Sequence, residues 1–400
     1  MKRDHGQQPG GSLPTYNGAV KLLTTRSLGA EVMSVRISPE RDCCAAALFD
    51  GVVELLPLPT KGCKFSPLQL RADDETLPAT DIAFVPKQGS RKKLLVSYAS
   101  GFVRLWQYSA VKAKANLWKA WRELASNIEQ KSGEYNFNQV LTISASFDGL
   151  RFVTGGVDCD LRVYVIKTST VGRSLNPSMR TDPIVLHNFH VDRITAVTYH
   201  SKGARDETFA HTVITASWDN TIQGWDDRTC GSMWQYIGVN VAGADGLAID
   251  PIHNIVITAS YRRDMCLSET WEARLAAVSD DRKSLSRMTQ PLSKINQEAG
   301  DPVIQVYVAR LAHENNYLIF GGTDHNMLKI LHCTTLRTIG SVVNLPTGIY
   351  SADSCSDPGD KKHFLIAFTN GVKVYFVQAD AKVPHGPAVG VLASQQQPTQ

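Results

Sequence analysis

From His190 to Asp226 the chain reads HVDRITAVTYHSKGARDETFAHTVITASWDNTIQGWD. Three short runs in it are rich in β-branched residues: Ile194–Tyr199, Val213–Ser217 and Thr221–Asp226. Turn formers separate them, from Ser201 to Thr208 and again at Trp218-Asp219-Asn220. Short runs bounded by such residues read as consecutive antiparallel strands. His190, Ser217, Asp219 and Trp225 are polar-capable groups placed around those strands, and they are expected to form one buried chain of hydrogen bonds.

Working outward, the same order of strand, strand, turn residue and strand recurs along the chain. The turn residue is Asp50, Ser100, Asp158, Asp219, Asp264, Asp324 and Asn370, giving seven units. In five units the following strand ends six positions later, at Leu56, Trp106, Tyr164, Trp225 and Ile330. A repeat of this kind is the mark of a modular fold, because one small sheet cannot bury both faces and must stack on its neighbours.

The pattern His190-x-x-x-Ile194-x-x-Val197, then Ser217-x-Asp219, then Trp225-Asp226 resembles the WD40 repeat, with Phe189 where that repeat usually has glycine. The resemblance implies an all-β, seven-bladed WD40 β-propeller of four-stranded antiparallel blades, closed by an N-terminal strand within Ala19–Thr24 that completes the last blade. It covers residues 19–378, leaving 1–18 and 379–400 as segments expected to be disordered. Insertions interrupt the period near 109–138 and 273–301. In the first, Leu117, Trp118, Trp121, Leu124, Ala125 and Ile128 fit a helix, while Leu117 to Leu124 also supplies the outer strand that the second unit needs; the second insertion reads as a polar loop.

The resemblance also assigns roles. The Trp225 indole is expected to donate to Ser217, Ser217 to bond His190, and His190 to bond Asp219, so these residues are structural rather than a Ser-His-Asp hydrolase triad. Units with other residues at these positions are expected to rely on apolar packing. Partner proteins or peptides are expected on the face where second-to-third-strand turns meet incoming loops. Phe49, Tyr98, Val157, Arg193, Trp218 and Tyr261 are the candidates there, since exposed aromatics and arginine are the usual anchors. Trp225-Asp226-Asp227-Arg228 resembles the extended Trp-Asp-x-Arg box of substrate receptors for cullin-RING ubiquitin ligases, with Gly224 off that pattern, which makes Asp226 and Arg228 candidate adaptor contacts. Tyr261-Arg262-Arg263 resembles, less closely, a phosphoinositide-binding motif of other propellers.

Composition bounds the alternatives. The chain has 400 residues, 43% hydrophobic and 20% charged, with a formal net charge of +4. That small net charge does not argue for nucleic acid or membrane. The eight cysteines lack Cys-x-x-Cys or zinc-finger spacing, and no cofactor, metal set or catalytic carboxylate cluster can be assembled. The expectation is a cytoplasmic, non-catalytic scaffold or adaptor, monomeric as a propeller within a larger complex, without nucleic acid and without membrane insertion.

Overall fold

The computed structural model describes residues 13–60, 65–86, 92–125, 136–167, 171–174, 189–229, 231–273, 286–288 and 290–382. These residues form seven sheets. Each begins with an inner strand: Val32–Ile37, Ala79–Val85, Val140–Ala145, Ile194–Tyr199, Leu247–Asp250, Gln305–Ala312 and Ala352–Cys355. Every inner strand touches the inner strand of the blade on either side, and the seventh touches the first. The structure is a closed seven-bladed β-propeller.

Strand geometry explains the stacking. Side chains alternate between the two faces of a strand, so a strand sandwiched between two blades is buried on both sides. Cys43–Leu48 shows this: Cys43, Ala45 and Ala47 pack toward blade 2, whereas Cys44, Ala46 and Leu48 pack toward blade 7. One apolar cluster lies between each adjacent pair of blades. At about 25 cal/mol per Å² of apolar surface removed from water, these seven interfaces supply the main driving force for folding.

The ring closes through the N-terminal segment. Val20–Ser27 pairs antiparallel with Lys373–Asp380 as the outer strand of blade 7. Thr15–Gly18, within the segment expected to be disordered, instead pairs with Thr338–Val343 as a fifth strand on blade 6. It is held there because the outer strand of blade 6 leaves its edge groups open to pairing.

In the first insertion the strand wins over the helix. Lys114–Arg122 is the outer strand of blade 2, with a bulge between Leu117 and Lys119. The blade 2–3 interface selects it, because Trp121 is buried against Phe152 and Tyr164. Ile128 lies outside the described residues. The second insertion is not simply a loop: Ser293–Asn296 forms the outer strand of blade 5, anchored by the buried Ile295. Ser286–Met288 adds in parallel to the edge of blade 4. Of the tail expected to be disordered, residues 379–380 belong to the last strand, and 383–400 lie outside the described residues.

Candidate functional site

The polar chain of blade 4 differs from expectation in one member. The Trp225 indole N–H donates to Thr215 Oγ1 at 2.8 Å, and Thr215 Oγ1 lies 2.6 Å from His190 Nε2. His190 Nδ1 meets Asp219 Oδ2 at 2.9 Å. Every partner is satisfied when the indole donates to the hydroxyl, the hydroxyl to Nε2, and Nδ1–H to the carboxylate. Thr215, not Ser217, is therefore the relay. Ser217 lies on the same face two residues on, roughly 7 Å along the strand, beyond the indole's reach. Its hydroxyl instead donates to the Asp192 carbonyl and accepts from Asp219 N–H. Ser217 makes no hydrogen bond to His190, so the arrangement of a serine nucleophile with its base is not formed. Burial pushes the Asp219 carboxyl pKa up, but bonds from His190 and Thr221 outweigh it and hold the group below its ordinary value.

Blades 1 and 7 have buried apolar residues at the corresponding positions along the chain, Ala46 and Leu56 in blade 1 and Ile366 and Phe376 in blade 7. Blades 2, 3, 5 and 6 instead hold buried polar groups, which corrects the expectation of apolar packing for blades 3 and 6. In blade 3 the buried Glu123 accepts from Thr154 (2.6 Å) and Tyr164 (2.8 Å), and pairs with Arg162 at 3.2 Å. Arg162 in turn meets Asp158 at 2.5 Å. Thr154, Tyr164 and Asp158 stand where blade 4 has Thr215, Trp225 and Asp219, with Glu123 in place of the histidine. Blade 2 has Glu75 accepting from Ser100 (2.7 Å) and pairing with Arg104. Blade 6 pairs Lys329 with Asp301, and blade 5 retains the Trp271 to Thr258 bond at 3.1 Å. Glu75, His190 and Asp301 each lie four residues before the inner strand of their blade. That spacing is the signal that could have found them.

The start of the inner strands forms one face of the ring, and there the axle opens into a cavity of about 280 Å³. Arg193, Trp218, Tyr307, Tyr350 and Met33 are among its walls. Its floor is a buried charge network absent from the expected site. Arg36 pairs with Asp81 at 2.8 Å and, across the axle, with Asp245 at 2.7 Å, while Arg310 reaches Asp245 at 3.2 Å. Asp245 also accepts from Ala352 N–H at 3.0 Å. Burial pushes its pKa up; Arg310 and Arg36 outweigh that and hold it low. Asp81 is instead raised, by burial and by the charge of Asp245.

Of the six candidate surface residues, Arg193 and Trp218 line the cavity together, with the Arg193 guanidinium 4.5 Å from the centre of the Trp218 ring. Trp218 is 49% exposed and Phe49 56%, but Phe49 stands outside the cavity wall. Tyr261 is half-buried and continues a row with Tyr307 and Tyr350 at ring separations of 4.7 and 4.9 Å. Val157 is half-buried beside the blade 3 turn. Tyr98 is fully buried between blades 1 and 2, because strand alternation turns the last residue of Lys92–Tyr98 inward rather than outward. It is removed from the candidate surface.

The family model described as "WD domain, G-beta repeat" matches residues 183–226, the part of the chain that carries the complete polar network. The chain is a seven-bladed β-propeller that carries a WD40 repeat in its fourth blade. The chain is similar to two fly proteins, each named "Ribosome biogenesis protein WDR12 homolog". It is 28% identical to that of Drosophila persimilis over 134 residues and 29% identical to that of Drosophila yakuba over 131 residues. Each match covers 32% of this chain and 29% of the relative, so it spans less than a third of either protein.

The two remaining motifs are engaged within the fold. Arg228 is 62% exposed and grips Asp226 through two nitrogens, at 2.9 and 2.6 Å. Arg262 pairs with Glu269 at 2.7 Å and Arg263 with Asp324 at 3.3 Å. The two guanidinium groups are thus drawn to separate carboxylates and do not form the joint phosphate fork suggested by Tyr261-Arg262-Arg263. No helix among the described residues is long and apolar enough to cross a membrane.

Proposed function

We propose that the protein is a non-catalytic scaffold that binds a partner protein or peptide at the mouth of its axle, with Arg193 and Trp218 as anchors. The observation that carries this reading is the exposed Trp218 ring at the wall of the axle cavity, with the Arg193 guanidinium 4.5 Å from its centre. Phe49, Leu77, Val191, Trp218, Met265 and Tyr350 are exposed, and each lies in a second-to-third-strand turn or just before an inner strand. Exposed apolar groups gathered on one face mark an interaction surface. The rigid blades beneath keep that surface organised before binding, which lowers the ordering cost of association.

The partner class suggested by the fly relatives is a component of ribosome assembly, and membership in such a complex agrees with a propeller that is itself monomeric. Ribosome assembly competes with the cytoplasmic location expected from composition, and a fluorescent fusion scored for nuclear against cytoplasmic signal separates the two. The test of the site is affinity purification with quantitative mass spectrometry. Trp218→Ala and Arg193→Ala should fold normally and lose the same set of partners at least tenfold. A partner set unchanged in both variants would refute the site. The ligase-adaptor reading rests on Arg228, and Arg228→Ala should leave the partner set intact if the axle mouth is the working surface.

A further inference from the structure

The net charge of +4 conceals an uneven distribution. Between Ile82 and Arg122 the sequence has nine lysines and arginines and no aspartate or glutamate, so the rest of the chain sums to −5. This stretch runs from within the inner strand of blade 2, just after Asp81, to the end of its outer strand. Arg104 is taken up inside the blade by Asp74 and Glu75, and Lys92 by Asp42. Lys112, Lys114 and Arg122 are exposed, and Lys93 and Lys119 are half-buried along the same outer side.

An exposed indole sits among these cations. Trp118 is the residue at the bulge of Lys114–Arg122 and is 43% exposed. The ammonium groups of Lys93 and Lys119 lie 4.3 and 5.6 Å from the centre of its ring. Lys119 Nζ also donates to the carbonyls of Ile166 and Lys167 at 2.9 and 2.7 Å, which ties this platform to blade 3. The strand runs roughly 30 Å along the blade edge, and Asn116 and Leu117 are exposed beside the indole. Lysines on an edge strand also discourage edge-to-edge aggregation. That role does not account for the exposed indole.

We infer that the outer edge of blade 2 is a second binding surface, and that its ligand is a single-stranded nucleic acid. Phosphates would meet Lys112, Lys114 and Arg122, and an unstacked base would lie on Trp118. A basic track with an aromatic stacking surface is how proteins hold single strands without reading sequence. An acidic polypeptide satisfies the charges but makes no use of the flat, exposed ring. This site is separate from the axle mouth and does not depend on the reading given for it.

The experiment is fluorescence anisotropy of a labelled twelve-nucleotide oligouridine with the full chain, from 50 to 200 mM salt. Binding should weaken with salt at a logarithmic slope of about −2 to −3, as expected when three or four phosphates are neutralised on a single strand. Trp118→Ala should weaken binding by about five- to a hundredfold, in line with the loss of one stacked base. The pair K112E/K114E should weaken it more than tenfold and flatten the slope. The pair K361E/K362E, exposed on blade 7, is the control and should bind as the parent does, and circular dichroism should show all variants folded. Absence of binding by the parent at 50 mM salt would overturn the inference. So would an equal loss in the blade 7 pair, or displacement of the oligonucleotide by polyglutamate at equal charge, which would identify an acidic polypeptide as the ligand.

Discussion

Thr215 holds two buried groups that have no other use for their polarity, the Trp225 indole N–H and His190 Nε2. Replacing it with valine keeps the shape and removes the hydroxyl, leaving both groups unpaired. Each buried unpaired group costs about 1–3 kcal/mol, so Thr215→Val should lose about 2–4 kcal/mol in urea unfolding. Ser217→Ala, which removes only turn bonds, should lose about 1 kcal/mol; the reverse order would show that Ser217 is the relay after all. A second histidine contributes to the response to acid. His200 is buried, with Nε2 on Asn254 Oδ1 at 2.8 Å and Nδ1 accepting from Lys202 N–H at 3.2 Å. Burial lowers its pKa to about 4. In the unfolded chain it titrates at an ordinary histidine value near 6.5, so between those values the unfolded state binds more protons. Stability is then full above about pH 6.5 and falls as pH drops toward 4. Between pH 7 and pH 5 the loss should be about 2 kcal/mol, and His200→Gln should remove most of that slope.

At the level of the single blade, one framework accepts several polar solutions. His190 with Asp219 in blade 4, Glu123 with Arg162 in blade 3 and Glu75 with Arg104 in blade 2 fill corresponding space. A buried charge is tolerable only when paired and hydrogen-bonded, and these are. Blade 4 also explains its own departure from the extended Trp-Asp-x-Arg pattern at Gly224. Trp234 of the adjoining strand lies across that glycine, and a Cβ there would stand 2.1 Å from the indole ring. Gly224→Ala must displace a fully buried tryptophan and should cost at least about 2–3 kcal/mol, within the range for overpacking a core. A thermal unfolding midpoint equal to that of the parent would contradict this packing.

For the ring as a whole, closure depends on contacts between residues far apart in sequence. Arg36 of blade 1 meets Asp245 at the entry to blade 5 across the axle, and Val20–Ser27 completes blade 7. Asp245→Ala would leave Arg36 and Arg310 facing each other without their shared carboxylate. Breaking a buried pair costs about 3–5 kcal/mol, and the unfolding transition should move to lower urea by that amount with its slope unchanged. Removing residues 1–27 exposes the edge of the last blade, which should yield aggregates on size-exclusion chromatography. At this same scale, Trp218→Ala should leave the urea midpoint within about 0.5 kcal/mol of the parent, as surface substitutions do. A large loss of stability would show that the residue serves packing rather than partners.

The closing strand followed from the resemblance to the WD40 repeat, and the seven blades were legible in the sequence because alternation, turn residues and the six-residue offset from turn to strand end are local. Asp219, His190 and Trp225 were legible for the same reason. What chose Thr215 over Ser217 was the reach of one indole across a strand pair. What buried Tyr98, and made a strand of Lys114–Arg122, was the neighbouring blade. The Arg36–Asp81–Asp245 network left no periodic trace, since its members come from different blades and meet only at the axle. Order along the chain thus settled which residues repeat, whereas closure of the ring settled which of them touch; only the second depends on groups separated by two hundred residues arriving within about 3 Å of one another.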